Sequence, residues 1–357
     1  MSTSPAEKPT VDVHAHILLP ALQQLVAEAD PEGFGAQQAL EVRRNGPESM
    51  AASGKMIKER WPQLTDLDRR LADMDAQGVD VQLVSPSPSH FYYFAAEELA
   101  LQVAKAANQA VREFVDRAPE RLNGLGLVPL QHPSLMVEAL DHAMLECGLL
   151  GVEIGSFAAT PTDPERSTVE LSDPRLEPFW SRAEELGALV FLHPFGCSLD
   201  ERLDRFYLAN TVSQPAENAV ALSHLIFSGV LDRHPDLRVL AAHGGGYLPT
   251  SLGRSDHAWR VRPEARGCAE PPSSYVKKLF FDSLVHSPAE LRALVAAAGP
   301  GQVLLGSDYP FDMGSDRPAA EVIEAQLSAE DEARVLSGNA AALGITPASV
   351  LTARHTA

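Results

Sequence analysis

Apolar and polar positions alternate strictly near the start of the chain: Val11, Val13 and Ala15 against Asp12, His14 and His16. A period of two is the mark of a β-strand, on which residues i and i+2 share a face, so the two imidazoles project together. Apolar runs at 79–84, 122–130, 148–157, 188–195, 237–243, 279–285 and 302–307 predict seven further strands. Between them, helical spacing predicts helices at 65–77, 95–118, 135–147, 174–186, 215–231, 288–298 and 319–327, with 329–336 and 339–343 as closing helices. The first of these carries Leu67, Leu71 and Met74 on one side and meets Gly78 as its stop.

Eight strands alternating with helices predict an α/β fold, a single (β/α)8 TIM-type barrel over residues 1–357, with a doubly wound open sheet as the alternative. Residues 18–62 read as irregular, punctuated by Pro31-Glu32-Gly33, Asn45-Gly46-Pro47 and Ser53-Gly54. A structureless span of that length is expected to be a cap or lid inserted after the first strand. Residues 329–357 read as closing helices and a tail.

Composition narrows the function. The 357 residues are 45% hydrophobic and 22% charged, enough for a sizeable core. An excess of 48 acidic over 29 basic residues, net charge -19, argues against nucleic acid and against an anionic membrane surface. Cys147, Cys197 and Cys268 are far apart and odd in number, so no disulfide framework is expected and a cytoplasmic home is. No apolar run approaches the length of a membrane span.

The chemistry gathers where the predicted strands end. In a (β/α)8 barrel the working groups sit at the carboxyl ends of the strands. Strand one ends in His14 and His16, strand five in His193, strand six in His243 before three glycines, and strand eight in Asp308. Four strands that each deliver a metal-competent or proton-transferring group to the same end point to a metal site.

On Val11-Asp12-Val13-His14-Ala15-His16, Phe191-Leu192-His193-Pro194, Ala242-His243-Gly244-Gly245-Gly246, Asp282-Ser283-Leu284-Val285-His286 and Gly306-Ser307-Asp308-Tyr309-Pro310-Phe311, the chain resembles the amidohydrolase superfamily. Within it, the similarity is to the branch typified by aminocarboxymuconate-semialdehyde decarboxylase, and it runs from end to end. The resemblance implies that His14, His16, His193 and Asp308 bind one divalent metal, zinc with Mn2+ or Co2+ as alternatives. It also implies that His243 is the general acid/base beside a metal-bound water. Two-metal relatives carry a modified lysine on strand four. This chain has no lysine between Lys105 and Lys277 and offers Glu153 there, which supports a single metal.

The resemblance further implies a small carboxylate substrate and a homodimer. Arg254, eleven residues after His243, matches an arginine that in the family binds substrate carboxylate across the dimer interface. Lys58, with Lys55 and Arg60 nearby, falls where the family has a second arginine, and Asn210 falls where it has a large aromatic residue. Lysine lacks the bidentate fork, so that change is not conservative. Phe195, His90 and the aromatic run 91–94 are expected at the barrel mouth against a planar ligand. Asp282 and His286 are expected to support the metal ligands from behind. The implied reaction is non-oxidative decarboxylation of an aromatic or conjugated acid; a hydrolase or hydratase using the same metal hydroxide is the alternative.

Overall fold

The computed structural model describes residues 8–159, 168–196 and 198–347. Cys197, His355 and the end of the predicted tail lie outside the described residues. Strands β1 (Val11–Ile17), β2 (Val81–Pro86) and β3 (Leu122–Gly124) pair in parallel. After a one-residue break at Leu125, β4 (Gly126–Leu127) continues the third stave and pairs with β5 (Gly151–Ile154). A two-stranded antiparallel hairpin, β6 (Phe157–Ala159) with β7 (Thr168–Glu170), follows and was not expected from the sequence. The parallel series resumes through β8 (Leu189–Leu192), β9 (Arg238–Ala241), β10 (Phe280–Asp282) and β11 (Val303–Leu304). Val13 N–H donates to the Leu305 carbonyl and Asp308 N–H to the His14 carbonyl, each at 2.8 Å, which closes β11 onto β1. The eight staves form the expected barrel.

Two apolar layers follow from the alternation along each stave. Val11, Val81, Leu83, Phe191, Leu240 and Leu304 fill the barrel floor. Ala15, Val84, Ile154, Val190, Leu192 and Phe281 face outward onto the helices. The alternation is not strict on β1, because its pairing with β2 shifts register between Asp12 and Ala15. That bulge leaves Val11 and Val13 inside, turns Asp12 outward toward Gln82, and still aims His14 and His16 inward.

The passage 18–62 is corrected: it is helical. Helices run over Pro20–Ala29, Pro31–Asn45, Pro47–Glu59 and Trp61–Thr65. The prolines that read as loop punctuation stand in the first turn of each helix, where a missing N–H costs nothing. Asp30 caps the second by accepting from Gly33 N–H at 2.8 Å. Pro31–Asn45 and Pro47–Glu59 bury no residue, which is why no apolar stripe announced them. By contrast, Leu67–Gln77 ends at a left-handed Gly78 and a helix spans Pro288–Ala298, as the sequence indicates; Ser287 caps the latter by accepting from Glu290 N–H.

Candidate metal centre

His14 and His16 leave β1 on its inner face, His193 follows β8, and Asp308 follows β11. One donor atom from each lies within 4.8 Å of the other three. His14 Nε2 and His16 Nε2 are 3.1 Å apart, and Asp308 Oδ1 is 3.4 Å from the first and 3.2 Å from the second. All four residues are buried.

The ring orientations follow from what lies behind them. His14 Nδ1–H donates to Asp282 Oδ2 at 2.5 Å, and His193 Nδ1–H donates to the Pro194 carbonyl at 2.9 Å. His16 Nδ1 lies 3.2 Å from Ser85 Oγ. Acceptors at Nδ1 leave the Nε2 lone pairs facing the centre, as metal ligation requires. His193 Nε2 and Asp308 Oδ1 are buried without a hydrogen-bond partner. Orphaned donor atoms aimed at one point are what a bound cation satisfies.

The electrostatics fit a cation as well. Burial works against charge on His14, but Asp308 and Asp282 outweigh it and lift its pKa to about 10. Burial likewise opposes a charged Asp308, yet the facing histidines hold its carboxyl well below the usual range. Burial lowers His16 to about 4 and keeps it a neutral ligand. A metal ion held there would take the place of the His14 proton, since a ligating imidazole must be neutral. Three imidazole nitrogens and one carboxylate oxygen suit a divalent transition metal. Glu153 is not part of the cluster: it lies behind His16, Oε1 being 4.0 Å from Nδ1, and burial lifts its carboxyl well above the usual range.

His243 stands beside the centre. Its Nε2 is 3.6 Å from Asp308 Oδ2, and its ring centroid is 4.9 Å from that of His193. Asp282 positions it by accepting from His243 N–H at 2.9 Å and Gly244 N–H at 2.8 Å, so one carboxylate orients both His14 and His243. At Gly246, with φ 63°, a Cβ would lie 2.1 Å from the Pro215 carbonyl oxygen, so the turn that presents His243 requires glycine. His243 and Asp308 open onto a cleft of about 500 Å³.

Behind the ligands runs a buried polar chain that the sequence did not reveal. Asp12 accepts from Ser307 Oγ–H at 2.5 Å, Ser307 N–H at 3.0 Å and Gln82 Nε2–H at 2.9 Å. Arg70, fully buried, donates to Gln82 Oε1 at 2.6 Å and to the His16 carbonyl at 2.5 Å. The chain ties the strand bearing His14 and His16 to the segment bearing Asp308. The acid immediately before the two histidines was its only signal in the sequence.

Other expected site residues lie elsewhere. His90 does not face the cleft: its Nε2 accepts from Leu19 N–H at 3.0 Å, its Nδ1 is 3.1 Å from Tyr92 Oη, and burial lowers it to about 4. Phe195 lines a separate cavity with Phe91, which stacks on Tyr93. His286, expected behind the ligands, is instead exposed and lines the cleft. Lys58 and Arg254 are exposed and line neither cavity of their own chain.

A family model described as amidohydrolase matches residues 11–343. The chain belongs to the amidohydrolase family. Among curated amidohydrolase relatives, it is 34% identical to the 2-amino-3-carboxymuconate-6-semialdehyde decarboxylase of Dictyostelium discoideum over 94% of this chain and 92% of that one. It is 29% identical to the gamma-resorcylate decarboxylase of Rhodococcus jostii, covering 85% and 97% respectively. A solved dihydroxybenzoic acid decarboxylase from Polaromonas, with bound manganese and 2-nitroresorcinol, shares the fold at TM-score 0.77 and 22% identity, covering 94% of this chain and 96% of that one. The chain stands with these amidohydrolases as a carboxy-lyase, and the hydrolase alternative is not needed. Among the described residues, no helix is long and apolar enough to cross a membrane.

Proposed function

We propose that the protein is a metal-dependent, non-oxidative decarboxylase of an aromatic or conjugated carboxylic acid, with His243 as its general acid/base. The observation that carries this reading is the convergence of His14, His16, His193 and Asp308 with His243 unligated beside them at the head of a cleft. A divalent ion held by those four residues would supply Lewis acidity, drawing electron density from an anionic substrate. The C–C bond to the carboxylate breaks, CO2 departs, and the electron pair left on carbon takes a proton from His243, which recovers one from solvent. Asp282 keeps His243 aligned through its main-chain N–H. The apolar wall formed by Leu284, Val285 and Leu294 strips water from the departing carboxylate.

Zinc suits three imidazoles and a carboxylate, and manganese occupies the Polaromonas relative. A homodimer is part of the reading, with Arg254 of one subunit reaching the substrate of the other. In its support, Arg254 is exposed at the start of the helix Gly253–Val261. The test is CO2 release from hydroxybenzoates and muconate semialdehydes after reconstitution with zinc or manganese. Turnover that survives exhaustive chelation would overturn the reading.

A further inference from the structure

The turn that presents His243 is strained. His243 has φ 53°, and Gly244, Gly245 and Gly246 follow it at 61°, 72° and 63°. Glycine adopts that left-handed region freely, whereas a residue with a Cβ does so at a cost and stays there only where its surroundings enforce it. Two side chains grip one peptide unit here, the one between Ala242 and His243. Asp282 accepts from its N–H at 2.9 Å. Asn218, fully buried on the helix Ser213–Phe227, donates from Nδ2 to its C=O at 2.8 Å. Gly245 N–H reaches the same carbonyl at 3.0 Å, but it belongs to the turn and moves with it. The helix is a fixed base for the outside contact, since its Glu217 accepts from Ser198 N–H at 2.8 Å in the loop after β8. Asn218 Oδ1 is buried and has no hydrogen-bond partner among the described residues. An amide that satisfies one half and strands the other adds little to stability, so what Asn218 contributes is direction.

We infer that Asn218 is a positioning residue for His243: with Asp282 on the opposite edge of the same peptide, it keeps the turn left-handed and the imidazole aimed at the cleft. This rests on the decarboxylase reading and adds a residue that fixes its acid/base. A peptide unit is planar, so holding both its C=O and its N–H prevents rotation about the bonds that flank it, one of which sets φ of His243. Without Asn218 the carbonyl keeps Gly245 N–H, so no buried acceptor is stranded and the fold survives. The peptide is then free to turn and release the strain, which takes the imidazole out of line. A small misplacement of a proton-transferring group is enough to slow the chemical step.

The test uses the metal-loaded full-length protein with Asn218→Leu, which removes the donor at similar volume, and Asn218→Ser, which is too short to reach the carbonyl. Both are expected to keep metal content and Tm. Both should lower kcat for CO2 release about tenfold with KM unchanged, the worth of one buried hydrogen bond read in the transition state. In a His243→Ala background the same substitutions should leave the residual turnover as it is, because they act through the imidazole. Crystal structures of metal-loaded wild type and Asn218→Leu supply a readout without turnover: in the variant, His243 is expected to leave φ near 53° or to occupy two conformers. An unchanged kcat, a loss that persists in full in the His243→Ala background, or an unmoved His243 overturns the inference. Should no acid release CO2, the decarboxylase reading falls, and the crystallographic comparison still decides the role of Asn218.

Discussion

Two cavities of nearly equal size, about 500 Å³ each, lie within the described residues. The cleft beside the metal centre is reached by strand-end residues, His243 and Asp308, and Asn210, Tyr247, Leu284, Val285 and Leu294 are among the residues that line it. The second is roofed by the helix Pro31–Asn45 and lined by Phe91, Tyr93, Phe94, Phe157 and Phe195. It holds most of the aromatic surface expected at the substrate site, yet none of the metal-ligating side chains lines it. Reactive groups are placed by the carboxyl ends of barrel strands, whereas aromatic side chains collect wherever a helix must be packed down.

The comparison breaks most sharply on the ligands themselves. His14→Ala or Asp308→Ala should abolish both metal content, read by plasma emission spectrometry, and CO2 release. A variant that retained stoichiometric metal would move the centre elsewhere. His243→Ala should keep the metal and lower turnover by about 10²–10⁴-fold. Full activity in that variant would remove the general acid/base from the scheme.

Next in size is the buried chain behind the ligands. Arg70→Met should weaken metal affinity by about 10–100-fold, as loss of groups that orient ligands does. Titration against a competing chelator measures it, together with a smaller rise in Tm on metal addition. An unchanged affinity would make Arg70 a packing residue only.

The aromatic cavity should respond in the opposite sense. Phe91→Ala should cost about 3–5 kcal/mol of stability, typical for a buried phenylalanine, while turnover per folded molecule is unchanged. A large loss of turnover at constant stability would place substrate there after all. A further effect, read in pH, comes from His90, which is neutral in the fold with a pKa lowered to about 4 by burial. The unfolded chain takes up that proton from pH 6.5 downward and the folded one only near 4. Stability is therefore fully present above 6.5 and is lost as pH falls through that window, by about 3 kcal/mol from this residue. Denaturant titrations of wild type and His90→Asn at pH 7 and 4.5 check it, the variant showing the shallower dependence.

Much of the site was legible because strand alternation and strand ends are local properties. Val11-Asp12-Val13-His14-Ala15-His16 declares a strand and two imidazoles on one face, and His193, His243 and Asp308 each terminate an apolar run. The helices of 18–62 were not legible, since Pro31–Asn45 and Pro47–Glu59 bury nothing and their prolines read equally well as turns. His90 and His286 were misplaced because a side chain's direction after a strand depends on the loop's conformation. His286 itself has φ 56°.

The amino-acid sequence alone determined the number of staves, the donor types and the end of the barrel at which they collect, because period and composition are written residue by residue. Only the tertiary structure decided that a bulge turns Asp12 away from His14 and His16, that Ser307 closes on it across 295 positions, and that Tyr247 rather than the aromatic run 91–94 lines the cleft. Those outcomes depend on barrel closure, which brings distant segments within hydrogen-bond reach and leaves no trace in local periodicity.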